Sequence, residues 1–184
     1  VTWSEENNIR WKVAIEGQGN ASPIVWDDKI FVLTAVDTKV VDPSLPPPED
    51  QPERVFGITF PNTVFRFEVL CLNRFTGKKI WQQTATKKVP HEGTHHHADF
   101  ACASPVTDGE RLYCWFGSAG LYCYRLDGTL LWKRDLGEVR VGASLGEGCS
   151  PVLHRGRIII VRDHAGQSSR EVLEAATGQT VWKR

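Results

Sequence analysis

The sequence predicts an all-β protein of the β-propeller class. Three observations lead there. Apolar and aromatic residues alternate with period 2 in RLYCWF (111–116) and LYCYRL (121–126), the mark of strands rather than helices. Gly-rich turn punctuation separates these runs at Asp108-Gly109, Gly117–Gly120 and Asp127-Gly128. The pattern also recurs. Ser-Pro stands at Ser22-Pro23, Ser104-Pro105 and Ser150-Pro151, and a Gly lies four residues before a Trp at Gly77/Trp81, Gly128/Trp132 and Gly178/Trp182. A repeated four-stranded sheet that buries its faces against its neighbours is the propeller signature.

The central unit sets the template: Ala101–Val106, Arg111–Phe116, Leu121–Arg125 and Leu130–Arg134, spanning residues 100–134. Pro105 cannot donate to a ladder, so its strand belongs at a sheet edge. The first copy, 20–83, starts with the hairpin Ser22–Trp26 and Lys29–Ala35 and ends with Phe67–Asn73 and Lys78–Gln83. Between its halves lies an insertion, 36–65, with six of the ten prolines, whose composition favours an extended, poorly ordered loop. The third copy, 148–184, holds Ser150–Leu153, Arg157–Arg162, Glu171–Ala175 and Gln179–Lys183. Residues 1–15, with Trp11, read as the outer strand of a preceding blade. Three blades and a strand do not close a ring, so the chain reads as a fragment.

Charge excludes one class of partner. There are 22 basic and 22 acidic residues, which is no polyanion-binding signature, and no apolar run approaches the ~18 residues of a membrane span. Cys71, Cys102, Cys114, Cys123 and Cys149 form no CxxC and read as buried thiols. A four-residue loop 117–120 would place Cys114 opposite Cys123, where an oxidising compartment would permit a cross-strand disulfide.

In an up-and-down blade the inter-blade connections and the loop between the second and third strands emerge on one side. All the long segments are of that kind, so function is expected on that face. There His91–Asp99 (HEGTHHHAD) offers imidazoles and a carboxylate, a donor set for Zn²⁺, Cu²⁺ or Ni²⁺. On an extended segment His95, His97 and Asp99 would point one way, with Asp163 and His164 from the third blade completing the shell. No G-x-S-x-G or P-loop occurs, and Ser104 and Ser150 read as structural.

The stretch VLCLNRFTGKKIW resembles the tryptophan-docking repeat A-x-D-x-x-T-G-K-x-x-W of pyrroloquinoline-quinone (PQQ) type propellers. Cys71 stands for the Ala and Asn73 for the Asp, while Thr76, Gly77, Lys78 and Trp81 agree. VLEAATGQTVW agrees at Thr177, Gly178 and Trp182, and CYRLDGTLLW is a shorter variant with Gly128 and Trp132. The wider sequence is similar to PQQ-like propeller proteins of planctomycetes, related to the outer-membrane assembly lipoprotein and to quinoprotein dehydrogenases. That resemblance implies a closed ring of seven or eight blades, export to the periplasm or beyond, and structural docking roles for Trp11, Trp81, Trp132, Trp182 and the three glycines. On ~8 blades the chain is roughly 40% of its parent.

Three functions stand on this reading. The first is a non-catalytic binding or assembly platform in the cell envelope, with a protein or a small ligand on the long-loop face and no nucleic acid. The second is a PQQ- and Ca²⁺-dependent dehydrogenase. Its family pattern is an adjacent Cys-Cys pair over the quinone, a Glu and an Asn on calcium, and an Asp base. This sequence has no Cys-Cys pair and supplies no clear calcium set, which weighs against an enzyme. The third is a metal-binding face on the His loop. No cofactor is firmly implied; the resemblance admits PQQ, and the His loop a divalent metal.

Overall fold

The computed structural model describes residues 2–4 and 6–184. Three four-stranded antiparallel sheets follow one another along the chain. The first contains β1 (Ile24–Trp26), β2 (Lys29–Val41), β3 (Thr63–Asn73) and β4 (Lys79–Lys88). The second contains β5 (Val106–Thr107), β6 (Arg111–Trp115), β7 (Leu121–Arg125) and β8 (Leu130–Arg134). The third contains β9 (Val152–His154), β10 (Arg157–Arg162), β11 (Ser169–Glu174) and β12 (Thr180–Lys183). In each, spatial order equals chain order, the up-and-down topology of a propeller blade.

The core lies between the sheets as two layers. Phe31, Leu33, Phe67, Val69 and Cys71 of the first sheet meet Leu112, Cys114, Phe116, Tyr122 and Tyr124 of the second. The alternate residues Tyr113, Trp115, Leu121 and Cys123 meet Ile158, Ile160 and Leu173 of the third. Strand periodicity sends successive side chains to opposite faces. The middle sheet is buried on both, so RLYCWF and LYCYRL carry few polar residues.

Each first strand is shorter than the sequence pattern predicts. β1, β5 and β9 begin after Pro23, Pro105 and Pro151, because proline contributes no ladder N–H. The serines ahead of those prolines work instead between blades. The Ser22 N–H donates to Ser104 Oγ and the Ser104 N–H to Ser150 Oγ, both at 3.0 Å.

Three further expectations are corrected. The insertion is less irregular than its prolines imply. β2 runs on to Val41 and β3 starts at Thr63, so a long hairpin carries only residues 42–62 as loop. Gln51 closes that loop, accepting from the Phe60 N–H and donating to the Phe60 carbonyl, both at 2.8 Å. Residues 1–15 form no strand ladder among the described residues, whose one feature there is an isolated Ser4–Asn7 bridge. A ladder needs a neighbouring strand, and none of the described strands pairs with this segment. Finally, the β6–β7 loop is five residues long, because Trp115 pairs with Leu121. Cys114 therefore lies opposite Tyr122, and Cys123 opposite Tyr113. The one-residue offset puts the two thiols on opposite faces of the sheet, and all five cysteines are free.

The tryptophans dock forward along the chain. Trp81 Nε1–H donates to the Leu126 carbonyl at 2.9 Å, and Trp132 Nε1–H to the Ala175 carbonyl at 3.1 Å. Trp11 does the same to Arg74 at 2.9 Å. The glycines are the seats. A Cβ at Gly128 (φ +92°) would lie 2.9 Å from Trp81 Cδ2, and one at Gly178 (φ +69°) 2.7 Å from Trp132 Cε3. Gly77 holds Trp11 in the same way, at 2.6 Å. Each glycine thus both turns its own blade at positive φ and leaves room for the preceding blade's indole. Trp182 is 45% exposed. Trp81→Ala is therefore expected to cost about 3–5 kcal/mol in urea unfolding, the range for deleting a large packed ring, and Trp182→Ala under about 1 kcal/mol.

Candidate functional site

The long loops meet. The 42–62 loop touches the His loop, with Phe56 edge-on to His95 at 5.7 Å between ring centroids. The His95 N–H reaches the Leu145 carbonyl at 3.4 Å, joining the His loop to the 135–151 connection. The Ala165 N–H reaches the Arg140 carbonyl at 2.8 Å, joining that connection to the β10–β11 loop. The result is one continuous cap on the face opposite the tight turns.

Under this cap, with lining from all three sheets, is a cavity of about 170 Å³. Phe67, Phe100, Trp115, Phe116, Val139 and Val161 give it apolar walls. Its carboxylates are held by protein donors. Glu92 Oε2 accepts the Val141 N–H at 3.0 Å, and Glu147 Oε1 accepts the Ser118 N–H at 2.8 Å. Asp99 is buried and accepts from the Asn20 and Ala101 N–H groups at 2.6 and 2.7 Å. Asp163 Oδ1 accepts the Ser168 hydroxyl at 2.6 Å. Lys88 Nζ donates to the Ser118 carbonyl at 3.2 Å. Arg162, at the end of β10, donates to the Leu136 and Gly137 carbonyls, and its Nε is buried without a partner.

The residues of the expected metal set are not brought together. His95 to Ala98 form a turn, closed by the Ala98 N–H to the His95 carbonyl at 2.8 Å, so extended alternation does not apply. The rings of His95, His96 and His97 pack against one another at tilted angles of 38° and 50°, with successive centroids 4.0 Å apart. Slight desolvation, then the two flanking imidazoles, lower the His96 pKa. Asp99 turns away from them to its two amides, and His164 Nδ1 accepts the Gly166 N–H at 3.0 Å. Among the described residues no three His, Cys, Asp or Glu side chains are close enough to hold a metal ion. What the sequence did not flag was Arg162. The signal for it was an arginine ending the apolar run RIIIV, where an inward-facing position is otherwise hydrophobic.

Three stacked four-stranded sheets with forward tryptophan docking define part of a β-propeller. A family model described as outer membrane protein assembly factor BamB matches residues 66–184, well over half of the chain. The chain belongs to this family of PQQ-like propeller repeats. No curated protein matches it. Solved structures similar to it include a quinohaemoprotein alcohol dehydrogenase from Comamonas testosteroni, with a TM-score of 0.52, 14% identity, and coverage of 92% of this chain and 21% of that one. A second is the alcohol dehydrogenase ADHIIG from Pseudomonas putida HK5, at 0.52, 18%, 94% and 21%. A third is a europium-containing methanol dehydrogenase, at 0.55, 13%, 92% and 25%. At these identities the similarity shows the fold, and the chain spans a fifth to a quarter of the length of these enzymes.

The described residues around this cavity do not fit a PQQ–calcium centre. Both oxygens of Asp99 are taken by amides. The middle-sheet thiols face opposite cores, and the cavity is smaller than the ~300 Å³ at which pockets for drug-sized ligands begin.

The thiols differ in reactivity. Burial pushes Cys71 up to about 11 and Cys123 up to about 12, and raises Cys102 and Cys114 as well. Cys149 is exposed. Since the thiolate is the reactive form, iodoacetamide at pH 8 is expected to label Cys149 first. Cys71, Cys114 and Cys123 should label only after unfolding, as read by peptide mass spectrometry.

Proposed function

We propose that this chain is part of a non-catalytic propeller that serves as a binding or assembly platform in the cell envelope, with its long-loop face turned to a protein partner. The observation that carries this reading is the continuous cap, in which the 42–62 loop, the His loop, the 135–151 connection and the β10–β11 loop touch in sequence. Loops of this kind, fixed by a rigid scaffold, are where propellers and sandwiches place recognition. Phe56 stands out on that cap. It is 66% exposed and held at φ +61°, a costly conformation for a bulky residue.

Two further points support binding over catalysis. Three of the cavity's four carboxylates serve backbone amides, which makes them loop fasteners. The matching family model is described by an outer-membrane assembly role, which supports placement in the envelope. No helix among the described residues is long and apolar enough to cross a membrane.

The test is site-specific photo-crosslinking in the native host, on the whole protein. A crosslinker replacing Phe56 should yield a discrete protein adduct, and one replacing Asp127, on an opposite-face turn, should not. Equal adducts from both positions, or none from Phe56, would overturn the platform reading.

A further inference from the structure

We propose that the cavity under the loop cap binds a small apolar α-amino acid as its zwitterion, the carboxylate pairing with Arg162 and the ammonium with Glu147 and Glu92. This site goes beyond the platform reading and stands on different observations.

The first is an uncompensated charge. Arg162 is only 8% exposed, and a guanidinium stays protonated throughout the physiological range. Its partners are the neutral carbonyls of Leu136 and Gly137. No carboxylate lies within ion-pair distance among the described residues, and Nε has no partner. A buried cation is costly unless an anion pairs with it. The structure does provide such pairs elsewhere. Buried Glu171 faces Arg134 and Lys183, and buried Glu68 faces Arg66. Among the described residues Arg162 is the buried cation without such a pair, and it lines a cavity.

The second is the charge of the remaining lining, which rules against a simple anion. Glu92, Glu147, Asp99 and Asp163 outnumber Lys88 and Arg162. Three of these acids are half used. Glu147 gives Oε1 to Ser118, Glu92 gives Oε2 to Val141 and Asp163 gives Oδ1 to Ser168, which leaves the second oxygen of each as an acceptor; Glu147 and Glu92 come from the loops that close over the cavity. A ligand that satisfies both signs carries a carboxylate and an ammonium together. The third is shape. Aromatic and branched walls and a volume of about 170 Å³ suit a short apolar side chain, since an apolar cavity of about 150 Å³ holds benzene.

The experiment is calorimetric titration of the purified whole protein with L-valine, 3-methylbutanoate (no amine) and 2-methylpropylamine (no carboxylate). L-Valine is expected to bind at least tenfold more tightly than either analogue. Arg162→Gln and Glu147→Gln should each weaken it at least tenfold. Because Arg162→Gln also alters a loop contact, Gly148→Leu supplies an independent variant. Gly148 lines the cavity, and a Cβ there meets nothing within 4 Å. A leucine there should fill the site and abolish binding while the unfolding midpoint holds. Equal binding of valine and 3-methylbutanoate would overturn the zwitterion assignment. Undetectable valine binding, or binding untouched by Gly148→Leu, would overturn the site. Neither result bears on crosslinking at Phe56, so this proposal and the platform reading fail separately.

Discussion

The structure depends on one repeated contact: an indole laid across the glycine turn of the next blade. A lone four-stranded sheet with two apolar faces is not stable in water. Here the middle sheet is covered on both faces, and the tryptophan sets how far each blade stands from the next. The indole N–H then satisfies a turn carbonyl on the neighbour, so the contact has direction as well as area. Inner-strand serines repeat the arrangement at the other end of the blade, each accepting the N–H of the serine before it. Two chemically different fasteners, one outer and one inner, hold successive blades at the same spacing.

This constraint frees the loops. With the blades fixed by turns and strand ends, the connections on the opposite face need not contribute to the core, and they vary widely in length. Their own order comes from local polar fastening: Gln51 on Phe60, Asp99 on two amides, Glu147 on Ser118. The carboxylates of the cap are thus mostly spent on architecture. Arg162 is the group in that region whose charge the described residues do not answer.

Much of the fold was legible in the sequence, for a physical reason. Period-2 apolar runs, glycine turns and a Gly-x₃-Trp spacing are local patterns, and each reports a local constraint. Asn73 illustrates how tolerant that code is. Its Oδ1 accepts from the Phe75 and Thr76 N–H groups at 3.0 Å, the turn-closing work expected of the Asp it replaces. The sequence pattern failed where backbone geometry departed from its nearest ideal. One extra loop residue moved Cys123 from opposite Cys114 to opposite Tyr113. A tight turn at His95–Ala98 cancelled the alternation from which a shared His95, His97 and Asp99 row was expected. The second role of the glycines, as seats for the preceding tryptophan, joins residues some fifty positions apart and has no local signature. Arg162 sits on the inward row of its own strand with Ile158 and Ile160, but the carbonyls that hold it come from the distant 135–151 connection, which no local pattern reports.

Interior tryptophans are locked onto the following blade. Hydrogen exchange of the indole N–H groups, followed by NMR, tests this docking most directly. Slow exchange is expected at Trp81 and Trp132, whose N–H groups are bonded to Leu126 and Ala175, and fast exchange at the exposed Trp182. Exchange at Trp81 and Trp132 as fast as at Trp182 would contradict it.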